Sequence, residues 1–236
     1  MTLPLFVTKQ NKYIAGALMY GLSYYLYYLI NHNPIFNPQM LPLTWIDAHT
    51  PFIPWTVMIY ISEYIFFAFV YILLDSYDVI NKYLYSYFLL QIVGCSVFLV
   101  YPTIYPRDRF PIPAETSLWL QNTWSWLRTQ DAPTNCLPSL HVASVYLSAF
   151  VFREDGRKKL FWTFFIWATL IAFSTLTTKQ HYVADILTGF GLSLFFYWWF
   201  HQGQRYERVW PRVKAAVISS SDTSTIPTSD AQTETP

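Results

Sequence analysis

Six apolar runs near the length of a bilayer crossing constrain this chain more than any other feature: residues 13–30, 52–74, 83–101, 140–152, 160–176 and 182–200. A membrane-spanning helix needs about 20 predominantly apolar residues, and the fourth run, at about 13, must borrow from Pro138 to His141 or tilt little to cross. The side chains are 53% hydrophobic and only 12% charged, about half the roughly 25% charge of a soluble domain. The first run follows Lys9 and Lys12 as a secretion signal would. The residues after it, Asn31-His32-Asn33-Pro34, offer no small-residue cleavage site, so it reads as a retained span.

The basic residues test this count, because Lys and Arg collect on the cytoplasmic side of a membrane protein. With six spans and both termini cytoplasmic, that side holds Lys9, Lys12, Lys82, Arg153, Arg157, Lys158, Lys159, Arg205, Arg208, Arg212 and Lys214, eleven of 15. Arg107, Arg109, Arg128 and Lys179 fall on the opposite face and call for a reason. The expectation is an all-α, six-span membrane bundle forming one domain over residues 1–218. A polar tail, 219–236, has almost nothing to bury and reads as disordered. Between spans three and four, Leu120, Trp124 and Leu127 recur at helical spacing within 115–128, with Trp119 and Trp126 alongside, which reads as an interfacial helix.

Several functions are disfavoured. A net charge of +1 gives no field for nucleic acid. No G-x-x-x-x-G-K or G-x-G-x-x-G string occurs, which argues against nucleotide cofactors. Cys95 and Cys136 read as free thiols, and no Cys/His cluster has metal-ligand spacing.

Three segments put titratable and phosphate-binding residues at the non-cytoplasmic ends of spans: 101–107 (Tyr-Pro-Thr-Ile-Tyr-Pro-Arg), 135–141 (Asn-Cys-Leu-Pro-Ser-Leu-His) and 178–185 (Thr-Lys-Gln-His-Tyr-Val-Ala-Asp). His181 and Asp185, four apart at a helix start, share one face. The carboxylate can fix the imidazole's tautomer and leave the other nitrogen free to attack. His141 supplies a second imidazole that can protonate a departing oxygen. Two histidines with different tasks suggest phosphoryl transfer through a phospho-histidine. Arg107 and Lys179 would then neutralise phosphate oxygens, assisted by Ser139 and backbone N–H groups at a helix start. Arg109 is the second choice of cation. Glu63, central in the second span, reads as a carboxyl neutralised or hydrogen-bonded within the bundle.

In order and placement these segments resemble the three signature motifs of the type 2 phosphatidic acid phosphatase superfamily, over roughly 83–200. The resemblance implies His181 as nucleophile, Asp185 as its orienting partner and His141 as the acid for the leaving group, matching the roles read from the residues. There are departures. Val100 stands where the first motif has Lys, and Asp108 follows Arg107 in place of Pro. Leu140 replaces the Gly of Pro-Ser-Gly-His, and Ser174-Thr175 replaces the Ser-Arg that opens the third motif. Lys179 is the expected substitute for a lost cation. Pro-Ser-Leu-His and the Thr-Lys-Gln-His-Tyr segment look like the branch of inositol phosphorylceramide synthase-like transferases. Two acceptors follow for the phosphate of a lipid phosphate or pyrophosphate: water, or an alcohol such as inositol. The mechanism calls for no metal and no cofactor, and the site would face the periplasm, exterior or lumen. A rival from another class is a transporter or scaffold using Glu63, Asp185 and His181 as a proton or substrate path.

Overall fold

The computed structural model describes residues 2–203 and 205–208. The expected tail, 219–236, lies outside them. The described chain is predominantly helical, with α1 Lys12–His32, α2 Trp45–His49, α3 Val57–Ile61, α4 Glu63–Leu73, α5 Tyr77–Val100, α6 Leu118–Gln130, α7 Leu140–Glu154, α8 Lys158–Thr177 and α9 Val183–Tyr197, the last running on into a π-helical turn, Trp198–Gly203. Four stretches are long and apolar enough to cross a membrane: Pro54–Leu73, Tyr77–Val100, Lys158–Thr177 and Val183–Gln202. The other two expected spans correspond to α1, of 21 residues, and α7, of 15.

The shortest of these helices is the central one. Twelve of the 15 residues of α7 are buried, among them Val142, Val145, Leu147, Ala149 and Val151 on all sides. A helix apolar all round belongs inside a bundle. Around it pack α5, α8, α9 and α4, while α1 leans on α5 and leaves Tyr13, Ile14, Leu18, Leu22 and Tyr25 exposed.

The second apolar run is not one regular helix. The Ser62 hydroxyl donates to the Ile59 carbonyl at 2.6 Å and accepts from Trp167 Nε1 at 2.8 Å. Such back-bonding competes with the helical ladder, and the chain passes from α3 to α4 there, so that Glu63 opens the new helix instead of lying mid-helix. Within the expected 115–128 segment, α6 buries Leu120, Trp124 and Leu127 against Val57 and Tyr60, and Trp124 Nε1 donates to the Pro54 carbonyl at 3.0 Å. Trp119 and Trp126 stay exposed. Cys95 and Cys136 are free and buried.

One end of the bundle is laced together by polar contacts. Asn31, at the end of α1, donates from Nδ2 to the carbonyls of Ala132 and Thr134 and accepts from Ala132 N at 2.7 Å. Thr103 Oγ1 accepts from the backbone N–H of Cys136 and Leu137 at 3.0 and 2.9 Å. These bonds hold the loops after α5 and α6 over the starts of α7 and α9.

Candidate active site

The approach of α7 to α9 brings the two histidines together. Ser139 caps α7, its hydroxyl accepting from Val142 N at 3.3 Å, and its own N–H donates to the Asp185 carbonyl at 3.1 Å. The helices can come this close because residue 189 is glycine: a Cβ there would stand 2.5 Å from the Ser139 carbonyl oxygen. At the α8–α9 turn, Lys179 takes φ +55°, a left-handed conformation uncommon outside glycine. This reverses the chain and delivers His181 one turn ahead of Asp185.

Asp185 Oδ2 lies 3.2 Å from His181 Nδ1 and accepts from Tyr182 N at 2.8 Å, while Oδ1 is buried without a partner among the described residues. The carboxylate thus caps α9 and holds the imidazole at once. His181 Nε2 stands 3.4 Å from His141 Nδ1. On its far side, His141 Nε2 meets Tyr60 OH at 2.8 Å and Glu63 Oε1 at 3.3 Å. Each histidine therefore has a carboxylate of its own, Asp185 for His181 and Glu63 for His141.

Arg107 enters from the loop after α5. Its guanidinium donates to the Asp131 carbonyl at 2.6 Å and to Asp131 Oδ2 at 3.0 Å, leaving Nε buried with no partner among the described residues. Asp131 also accepts from Tyr27 and, at 3.4 Å, from Tyr60. Arg107 is thereby joined to His141 through Asp131 and Tyr60. Burial pushes the Asp131 carboxyl up, but Arg107 and the Tyr27 hydroxyl outweigh it and hold the group below its ordinary value. With the folded value lowered, the pair's stabilisation is full above the unfolded-state carboxylate range and fades only as pH falls through the lowered one.

Lys179 is engaged elsewhere. Its ammonium donates to the Asp47 carbonyl at 2.9 Å and stands 5.0 Å from the Phe110 ring centroid, while Asp47 Oδ1 accepts from Val183 N. Burial draws that ammonium below its ordinary value, against the pull of Asp47. The side chain thus ties α2 to the start of α9. Lys179→Ala is accordingly expected to cost about tenfold in kcat/KM, and to lower Tm through the lost α2 contact. An unchanged Tm with a loss of several hundredfold would instead assign Lys179 directly to the phosphate. Arg109, the second-choice cation, lies in the same 3₁₀ turn as Arg107.

The structure brings His141, His181, Asp185, Ser139 and Arg107 to one end of the bundle. Tyr60 and Asp131 escaped the sequence reading, as did the role of Glu63; a carboxylate amid an apolar run was the one signal available. Asn135, at φ +64°, is buried with both side-chain polar atoms lacking a partner among the described residues. The possible ligand atoms of Cys136, His181 and Asp185 lie within 4.8 Å of one another, a donor set a thiophilic ion would fit but which competes with the His181–Asp185 bond.

A family profile described as the PAP2 superfamily matches residues 30–199. The chain belongs to the PAP2 superfamily. It is also 32% identical, over 91 residues, to an uncharacterized protein of Methanocaldococcus jannaschii, a match covering 39% of this chain and 36% of the relative. The match thus spans about a third of that relative's length. Membership in the PAP2 superfamily suggests phosphatase or phosphotransferase activity, and together with four apolar helices it suggests an integral membrane protein.

Proposed function

We propose that this PAP2 superfamily member removes or transfers the phosphate group of a lipid phosphate or pyrophosphate through a phospho-histidine on His181. One observation carries the reading: His181 has Nδ1 on Asp185 and Nε2 facing the second imidazole, His141. An imidazole whose Nδ1–H is held by a carboxylate presents a lone pair at Nε2, and His141 stands where an acid for the leaving oxygen is needed. The 3.4 Å between the two nitrogens is the space a phosphoryl group must enter, so substrate binding parts the rings. The buried Arg107 with its free Nε–H, and the capped start of α7 at Ser139, are the groups to meet the phosphate oxygens.

In this reading α1 and α7 also cross, which makes six spans with cytoplasmic termini and the site on the non-cytoplasmic side. Residues 1–218 act as one domain, and α6 lies at the interface with Trp119 and Trp126 toward the headgroups. The machinery of two imidazoles and fixed cations requires no metal. Water as acceptor gives a phosphatase and an alcohol gives a transferase. The test is to quench turnover of a 32P-labelled lipid phosphate and isolate the protein. An acid-labile, base-stable label lost in His181→Ala supports the proposal; an unlabelled protein that nevertheless turns over substrate refutes the phospho-histidine.

A further inference from the structure

Beside His141 lies a cavity of about 330 Å³ that the chemistry above leaves unassigned. Tyr20, Ser23 and Tyr64 line it from α1 and α4, Gln91 from α5, and Ser144 and His141 from α7, with Glu63 and Asp131 at the His141 end. Two side chains in its wall, Glu63 through Oε2 and Ser23 through Oγ, are buried and have no hydrogen-bond partner among the described residues. A buried carboxylate oxygen and hydroxyl without partners await something that can hydrogen-bond. The size is at the lower end of small-molecule sites, about 300–1,000 Å³. Its tyrosine rings with a few amide and hydroxyl groups suit a hydroxylated, partly apolar alcohol better than a bare hydrocarbon tail.

The position of the cavity gives it a role. In phosphoryl transfer the attacking and leaving atoms lie roughly in line on opposite sides of phosphorus. His181 attacks from one side, and His141 and Glu63, which border the cavity, stand on the other. We propose that the cavity holds the alcohol part of the substrate and that Glu63 is the positioning residue of His141, keeping its Nε2 protonated while Nδ1 gives and takes the proton. This rests on the phospho-histidine reading and goes beyond it in naming the alcohol's site and a further participant.

The steps balance. As the His181 Nε2–P bond forms, the ester P–O bond breaks and the leaving oxygen takes the Nδ1 proton of His141. In the second half, water or an alcohol in the cavity loses its proton to Nδ1 as its oxygen bonds phosphorus and the N–P bond breaks. His141 is faced by Glu63 and Tyr60 from the second run, Tyr27 from α1, His181 beside α9, and the Arg107–Asp131 pair beyond Tyr60. Of these, Glu63 is the carboxylate in contact with Nε2.

A general acid matters in proportion to how poorly the leaving group departs unaided. Glu63→Gln should therefore lower kcat/KM about tenfold or more for an alkyl phosphate ester and less than about twofold for the 4-nitrophenyl ester of the same phosphate, with Glu63→Asp recovering part of the loss. Equal losses on both esters, or no loss, overturn the role of Glu63. Should the variant fail to accumulate, the unaltered protein serves. Glycerol should shorten the lifetime of the 32P-labelled enzyme along a saturating curve, more effectively than hexanol. A linear dependence, or none, overturns the cavity assignment. A native protein that never carries label overturns the phospho-histidine reading itself, a different result from a labelled protein indifferent to glycerol.

Discussion

On the proposed phospho-histidine reading, His181→Ala is expected to bring turnover of a lipid phosphate to background, and Asp185→Asn to lower kcat at least about a thousandfold, approaching the roughly 10⁴-fold known when an orienting aspartate is made an amide in a histidine-based triad. Asparagine is nearly isosteric with aspartate, so the second loss is electrostatic and tautomeric. Asp185 Oδ2 accepts both from Tyr182 N at 2.8 Å and from the His181 ring at 3.2 Å. An amide has one acceptor oxygen. With that oxygen at the Oδ2 position both bonds persist and the NH₂ group occupies the place of Oδ1. With the amide turned over, the NH₂ group faces both Tyr182 N–H and His181 Nδ1, which removes the cap of α9, at about 1 kcal/mol, and selects the tautomer protonated at Nε2, which cannot attack. In either arrangement the negative charge that stabilised the imidazolium is gone. The measurement is single-turnover formation of the phosphoenzyme alongside Tm. Slow labelling with a Tm within a few degrees of wild type is expected, whereas labelling at the native rate would remove Asp185 from the mechanism.

That pair is legible in the sequence because it is local: a spacing of four at a helix start keeps two side chains within about one turn of each other, and the Lys179 turn presents His181 just ahead of α9. The His141 segment was legible by type, and its meeting with His181 needed the α7–α9 contact. Glu63, Tyr60 and Asp131 were not legible. Glu63 and Tyr60 meet His141 from 78 and 81 residues away in sequence and Asp131 joins through Tyr60, and no periodicity records such encounters. Glu63 reads from the sequence as neutralised or hydrogen-bonded within the bundle; the partner that sequence does not name is the second imidazole, met because Ser62 interrupts the helical ladder and starts α4 at that residue. Lys179 shows the opposite limit of spacing. Its place two residues before His181 suggested a phosphate cation, yet the left-handed turn that delivers His181 also directs the Lys179 side chain to Asp47. Spacing specifies neighbours within an element and says little at the turn where the chain reverses.

The other large effect comes from a residue without a side chain. Gly189→Ala should cost about a hundredfold in kcat/KM and lower Tm, whereas Gly191→Ala, two positions on in the same helix, should leave activity intact and be neutral or slightly stabilising. Intrinsic propensity makes the same prediction for both, since alanine is favoured over glycine inside a helix by about 1 kcal/mol. Packing separates them. A Cβ at 189 would meet the Ser139 carbonyl oxygen at 2.5 Å and Ala143 N at 3.3 Å, both backbone atoms, whereas one at 191 meets nothing within 4 Å among the described residues. Backbone cannot rotate away as a side-chain tip can, so relief requires α7 and α9 to move apart, at a typical overpacking cost of about 1–3 kcal/mol. The same contact sets the His141–His181 separation. A shift of about 1 Å between reacting groups can cost about 10² in rate, so activity should fall further than stability does. Equal behaviour of the two variants in both Tm and kcat/KM would mean that the close approach of α7 to α9 does not set the spacing of the histidines.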